Sequence, residues 1–351
     1  MSPRPSAPQY RPLGAFRFGL ALLVVLQHFQ HLLPPDRRAV FSHMGFGAIA
    51  VCVFFAVSGF VVAEANAVFY VGRPGAFLAN RALRLVPPYA AAMALSVAVH
   101  GVLWHAGRLV LWDYALTSSP LAPARLASVV LGLVPGFNPH WLGQDFEFIP
   151  FVWTLRMEIA FYLAAAAALA AGLRVGGRWP VGAAIAAGLA ASAAFLLLAG
   201  RPGALSTAPM FLLGASLFLV HARPGWFRAA LATIAALLAA TGFVSWRQHG
   251  APVLEWQLPL LAALLSLFAW LVTRRVAGPG KSWDRRLGDL SYPLYLNHYV
   301  VGILATSLAP QVGVALYAAS VAGAVVLAAV AERVVDRPLR RLRDRVRTVA
   351  V

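Results

Sequence analysis

The chain has 351 residues, of which 60% are hydrophobic and only 12% charged, and its mean hydropathy is +0.74. Soluble domains run at about 45–50% apolar, so a soluble globular protein is excluded and a polytopic membrane protein is indicated. The formal charge of +17 does not mark a nucleic-acid binder, because the basic residues sit in short segments between apolar runs and no soluble basic domain is present to hold a nucleic acid.

Ten apolar runs are long enough to read as membrane helices. They lie near 14–33, 44–66, 86–104, 152–171, 181–199, 205–221, 229–244, 256–273, 287–308 and 312–334. With a cytoplasmic N-terminus, 22 lysines and arginines fall on the inner side and 6 in the outer loops. The fold class expected is therefore an all-α polytopic membrane protein of about ten transmembrane helices, with both termini cytoplasmic.

The first run, "FRFGLALLVVLQHFQHLLPP", carries Arg17 at its mouth and His28 deep inside. Eleven residues at 1.5 Å each put His28 about 16 Å above Arg17. No small-residue cleavage site follows, so the run reads as a retained helix and not a signal peptide. An imidazole at that depth is either a general base or a hydrogen-bonded structural histidine. The second run holds the lone cysteine, Cys52, read as a small buried apolar residue. It also contains "VFFAVSGFVV", where Phe54 and Phe55 precede Ser58 and Gly59. Small residues there permit close approach of a helix or of a slender ligand.

"FLANRALRLVPPY" places Arg81 and Arg84 three apart, on one helical face. Pro87 and Pro88 follow, near the expected start of the third membrane helix. Two guanidiniums on one face suit a phosphate-bearing ligand, although a basic membrane anchor has the same pattern. The outer segment from about 105 to 151 is rich in proline, glycine and aromatics and carries Asp145 and Glu147. It reads as an ordered interfacial loop with short helices.

Glu158, in "FVWTLRMEIAFYL", is an ionisable group inside a span and so a functional candidate. It lies about 9 Å below the outer face, a depth similar to that of His28. A carboxylate there would orient the imidazole. Arg156, two positions away, points to another face and is free to pair with a carboxylate elsewhere. "LGDLSYPLYLNHYVV" gathers Asp289, Ser291, Tyr292, Tyr295, Asn297 and His298, too many polar groups for a lipid-facing helix. His298 reads equally as catalytic or structural. Glu332 fits an ion pair near the inner surface, and the terminal "DRPLRRLRDRVRTVAV" reads as a basic helix on anionic lipid.

Taken together these stretches resemble acyltransferase family 3, the membrane-bound O-acyltransferases of bacterial surface glycans. The Arg17-to-His28 spacing matches that family's N-terminal arginine–histidine motif. "FFAVSGF", "RALRLVPPY", "WTLRMEIAFY", "LGDLSYPLYLNHYVV" and "ERVVDRPLRRL" match its later elements in order. Thr154 stands where serine is usual, and Asn297 where an aromatic is common. The resemblance implies one transmembrane domain over 11–343, with a short tail at 1–10 and a basic tail at 344–351. It implies transfer of an acyl group, usually acetyl, from cytoplasmic acyl-CoA to a hydroxyl of a sugar or lipid-linked glycan. Arg17, Arg81 and Arg84 would hold the CoA phosphates. Phe54, Phe55, Ser58 and Gly59 would line the pantetheine channel. His28 would be the base, with Glu158 as its partner. Trp153, Ser291, Tyr292, Tyr295 and His298 would support them. Acyl-CoA is then a co-substrate, with no permanently bound cofactor, no metal, and the bacterial inner membrane as location. No fused esterase-like domain is read, so a partner protein could complete the reaction. An exporter of a small glycan or acid is the competing reading from the spans and buried charges alone; a non-catalytic envelope scaffold is the third.

Overall fold

The computed structural model describes residues 10–112, 116, 118–142, 146–172, 208–221, 257–309 and 311–348. All regular elements among these residues are helical. The expected spans at 181–199 and 229–244 lie outside the described residues. Four helical stretches, Phe46–Val68, Pro74–His105, Pro150–Ala170 and Val314–Arg347, are long and apolar enough to cross a membrane.

Helix α1, Gly14–His28, continues into a 3-10 turn at Phe29–Leu32. Fifteen residues of α-helix and four of 3-10 helix reach about 30 Å, the thickness of the hydrocarbon core. A short helix α2, Pro35–Met44, follows where an outer loop was expected, and Gly45 at φ 57° turns the chain into α3. Helix α3, Phe46–Val68, is buried on most of its circumference, as a helix apolar on all sides must be. Cys52 within it is half-buried and not fully enclosed.

Helix α4 runs from Pro74 to His105. It begins well before residue 86, so Arg81 and Arg84 are already inside it and Pro87 and Pro88 are internal. A proline pair removes two N–H donors within one turn. In a membrane bundle, neighbouring helices can satisfy the carbonyls left free. The carbonyls so freed are those of Leu83 and Arg84; Tyr292 donates its hydroxyl to the next one, Leu85 O, at 3.1 Å.

The outer segment contains α5, Pro123–Leu131, and 3-10 turns at Pro139–Leu142 and Pro150–Val152. Asp145 lies outside the described residues. Helix α6 is Trp153–Ala170, α7 is Ala208–Val220, α8 is Gln257–Thr273 and α9 is Gly278–Leu308. Helix α9 starts nine residues before the apolar run at 287 because its first turns are charged and lie beyond that run. Helix α10, Val314–Ala331, passes through a π-turn at Glu332–Asp336 into α11, Arg337–Thr348. The basic C-terminal segment is thus helical through Thr348.

Glycines set two close crossings among the described helices. A Cβ at Gly59 would collide with the Phe211 backbone, and one at Gly214 with that of Ala56, so α3 and α7 touch backbone to backbone. Gly14 and Gly288 do the same for α1 and α9. Asp284 of α9 then caps α1: its carboxylate accepts from Gly14 N at 2.9 Å and Ala15 N at 2.8 Å, and from Tyr10 OH at 2.6 Å. An acidic group at a helix N-terminus satisfies otherwise free donors and the helix dipole together.

The two ends of the described chain meet at the C-terminal end of α3. Arg11 pairs with Glu64, and the Arg347 guanidinium lies over the Phe69 ring at 3.5 Å. Arg340 bridges Asp289 and Glu332, so Glu332 is ion-paired as read.

Candidate active site

Helices α1, α3, α4, α6 and α9 enclose one pocket with about 730 Å³ of empty space, its open mouth included. Arg17 from α1 and Arg81 and Arg84 from α4 line it. Arg17 is held by α9: its Nη2 donates to Gly288 O at 2.8 Å and to Ser291 Oγ at 3.2 Å. Arg81 is 6% exposed, and its guanidinium lies over the rings of Phe77 at 5.3 Å and Tyr162 at 5.2 Å. Its Nε is buried with no hydrogen-bond partner. A buried guanidinium with donors to spare is costly until an anion meets it.

Glu158 is the one carboxylate among the residues that line the pocket. It accepts from Ser58 Oγ at 3.2 Å and from Tyr162 OH. Phe54, Phe55, Tyr292 and Tyr295 make up much of the remaining wall. Phe55 is backed by Phe211, ring on ring at 4.3 Å. Thr154 Oγ1 stands 2.9 Å from Phe151 O and 2.8 Å from Tyr295 OH, and Tyr295 OH is itself 3.4 Å from Phe151 O, so the two hydroxyls share that carbonyl. Thr154 thus does what a serine hydroxyl would do there.

His28 lies beyond this wall. Its Nδ1 is 2.8 Å from His298 Nε2. Phe151 touches Tyr295 at 4.9 Å between ring centroids, His298 at 4.6 Å and His28 at 5.5 Å. The way from the pocket to the imidazoles therefore passes Tyr295 and Phe151.

The structure brings some of the expected site residues together and separates others. His28 bonds to His298 and not to Glu158. Thr154, one helical turn before Glu158, is the α6 residue that reaches the Tyr295–Phe151 layer, so Glu158 sits a turn nearer the arginines. Depth counted from span edges is good only to about one turn on each helix. Gly59 does not line the pocket, because its open face is filled by the α7 backbone. Trp153 packs against the apolar core beside α6 and is also absent from the pocket wall. Ser291, Tyr292 and Tyr295 do line it, and His298 is fully buried beside His28.

One feature escaped the sequence reading, and one expected pairing found its partner. His31 stacks on Trp112 at 4.1 Å and bonds to Thr306 at 3.0 Å; its position three after His28, on the same face, was the available signal. Arg156 finds its carboxylate in Glu147 of the outer segment and also donates to Phe137 O. Burial pushes the Glu147 carboxyl above its ordinary range, and Arg156 pulls it part of the way back. Among the described residues, no group of three or more His, Cys, Asp or Glu is placed to hold a metal ion.

The family model described as an acyltransferase domain, that of acyltransferase family 3, matches residues 13–333. The chain belongs to acyltransferase family 3. Every residue named above for the pocket and the imidazole pair falls within the matched stretch, so the family 3 domain carries both. No curated protein and no solved structure matches the chain.

Proposed function

We propose that this family 3 acyltransferase moves an acyl group, acetyl in the simplest case, from cytoplasmic acyl-CoA to a hydroxyl of a sugar or lipid-linked glycan. The observation that carries the reading is the convergence of Arg17, Arg81 and Arg84 in one pocket where, among the described residues, Glu158 is the one carboxylate. Neither Arg81 nor Arg84 has a hydrogen bond to a described residue, so both guanidiniums have donors left for phosphate oxygens. A CoA molecule would set its phosphates against the three arginines. Its slender pantetheine arm would run along Phe54, Phe55 and Ser58 toward Tyr295.

His28 is the base. Its Nε2 takes the proton of the acceptor hydroxyl as that oxygen attacks the thioester carbonyl. The new C–O bond forms, the C–S bond breaks, and the proton passes from His28 to the departing thiolate. In this reading the protein spans a bacterial inner membrane about ten times, as one domain over 11–343. Both ends are cytoplasmic, the arginine mouth faces the cytoplasm, and His28 lies toward the far side. The bilayer, the acyl-CoA and the glycan acceptor are its partners.

The test needs no acceptor. Thermal unfolding of the detergent-solubilised protein is followed while acetyl-CoA or dephospho-CoA is titrated in. A ligand that binds only the folded state raises its stability. A saturable rise with acetyl-CoA that is lost in Arg81→Ala/Arg84→Ala is expected, with a smaller loss for dephospho-CoA. No rise with folded wild-type protein, or equal losses for the two ligands, would remove the phosphate site.

A further inference from the structure

His298 is fully buried, and its Nδ1 faces two carbonyls of its own helix, Tyr295 O at 2.8 Å and Leu294 O at 3.2 Å. Carbonyl oxygens only accept, so His298 Nδ1 must carry a proton. In a neutral imidazole the other nitrogen is then a bare acceptor. His298 Nε2 is that nitrogen, and it stands 2.8 Å from His28 Nδ1. Two bare nitrogens would repel, so His28 Nδ1 must be the donor. A neutral His28 is left with its lone pair on Nε2. No described residue hydrogen-bonds that atom, and His28 is half-buried and not sealed. Turning the His298 ring over would replace all three nitrogen contacts by carbon, so the ring orientation is fixed as well.

We infer that His298 is a positioning residue: anchored on the carbonyls of Leu294 and Tyr295, it holds His28 in the Nδ1–H tautomer and aims the bare Nε2 at the acceptor hydroxyl. Its catalytic side rests on the reading of His28 as the base; its tautomeric side does not. The logic is that of a carboxylate that orients a catalytic histidine, here served by a neutral acceptor. When His28 takes the proton it still donates to His298 Nε2, so the bond strengthens as charge develops on His28. A neutral partner adds no buried anion where carboxylates are costly. Phe151, stacked against both rings, keeps the pair from swinging apart. The sequence could not separate a catalytic from a structural role for His298, and the carbonyl contacts decide between them.

The test pairs a spectrum with kinetics. Nitrogen-15 spectra of the histidine-labelled full-length protein are compared with those of His28→Gln, which assigns the His28 signals among the nine histidines. The expected result is a protonated Nδ1 and a bare Nε2 on His28. His298→Leu should erase that preference and lower kcat by about a hundredfold, with the KM for acyl-CoA unchanged because His298 does not line the pocket. His298→Gln, whose side-chain oxygen can accept from Nδ1, should stay within about tenfold of wild type and also serves if the leucine variant fails to fold. A His28 found with its proton on Nε2 would overturn the inference. So would full turnover in a folded His298→Leu protein. Turnover retained in His28→Gln would remove His28 as the base, while the wild-type spectrum would still decide the tautomer.

Discussion

Gly288 is where one methyl group should disturb both stability and donor binding. A Cβ there would stand 2.7 Å from Gly14 Cα, whereas ordinary contact begins at 3.4 Å. In Gly288→Ala, α1 and α9 must therefore part by about 0.7 Å. Gly288 O is also the acceptor for Arg17 Nη2 at 2.8 Å, and the same parting takes that bond to about 3.5 Å, its geometric limit. Overpacking costs about 1–3 kcal/mol and the charged hydrogen bond about 1.5–3 kcal/mol. Alanine's helix preference returns about 1 kcal/mol. The net expectation is a loss of about 3 kcal/mol, with weaker acyl-CoA binding because Arg17 is released. Gly19 on α1 is the control. Nothing lies within 4 Å of its hypothetical Cβ, so Gly19→Ala should stabilise by about 1 kcal/mol and leave binding alone. Thermal unfolding in detergent, with and without acetyl-CoA, reads both quantities. A Gly288→Ala protein as stable as wild type, with undiminished ligand response, would refute the argument from the crossing.

Glu158→Gln should tighten CoA binding by about tenfold, or 1.4 kcal/mol, because it removes the one anion that competes for the three arginines. Titration calorimetry reads this, and weaker binding would show that its hold on Ser58 and Tyr162 matters more. Arg156→Met leaves the half-buried Glu147 without its partner and should cost about 1.5–3 kcal/mol. Adding Glu147→Gln should recover part of that loss, whereas additive losses would mean the pair does not couple. Glu147 also gives a pH dependence with a definite sign. Burial holds its folded carboxyl above the ordinary value of 4.5, so the unfolded chain loses this proton first. Its contribution to stability therefore declines as pH rises from that value through the folded one, and Glu147→Gln should flatten this part of the stability curve.

Much of the pocket was legible because ionisable groups are expensive inside a membrane helix. Glu158 stood out for that reason, Arg17 by its place at the mouth of an apolar run, and Arg81 with Arg84 as two guanidiniums on one helical face; the four meet in one cavity. What was not legible depends on register between helices. Sequence periodicity places His28 and Glu158 at a depth along their own axes, but not relative to each other across two different helices. The His28–His298 bond follows from how α1 is set against α9, and that setting is made by Gly14, Asp284 and Gly288. None of these three announces a partner in the sequence. Gly59 could equally have faced a ligand or a helix, and only the position of Phe211 resolves it. The internal Pro87–Pro88 pair was read as a helix start because prolines favour starts, whereas α4 begins thirteen residues earlier, at Pro74.

The same contacts constrain the topology. Asp284, near the start of α9, caps the start of α1, and Thr306, near the end of α9, bonds His31 just past the end of α1. The two helices therefore run parallel and leave from the same face. An even number of crossings must separate their starts, as required if they are the first and ninth of ten. The described chain ends agree, since Arg11 and Arg347 both sit at the C-terminal end of α3. A direct check replaces Cys52 by alanine and introduces one cysteine at a time, at Thr348 or at Ser307, which bonds Val110 N at the opposite end of the bundle. In intact cells an impermeant maleimide should label Ser307→Cys and spare Thr348→Cys until the membrane is opened. Labelling of both in sealed cells would put Thr348 and Ser307 on one side of the membrane and remove the placing of the C-terminus and the arginine mouth on the cytoplasmic side.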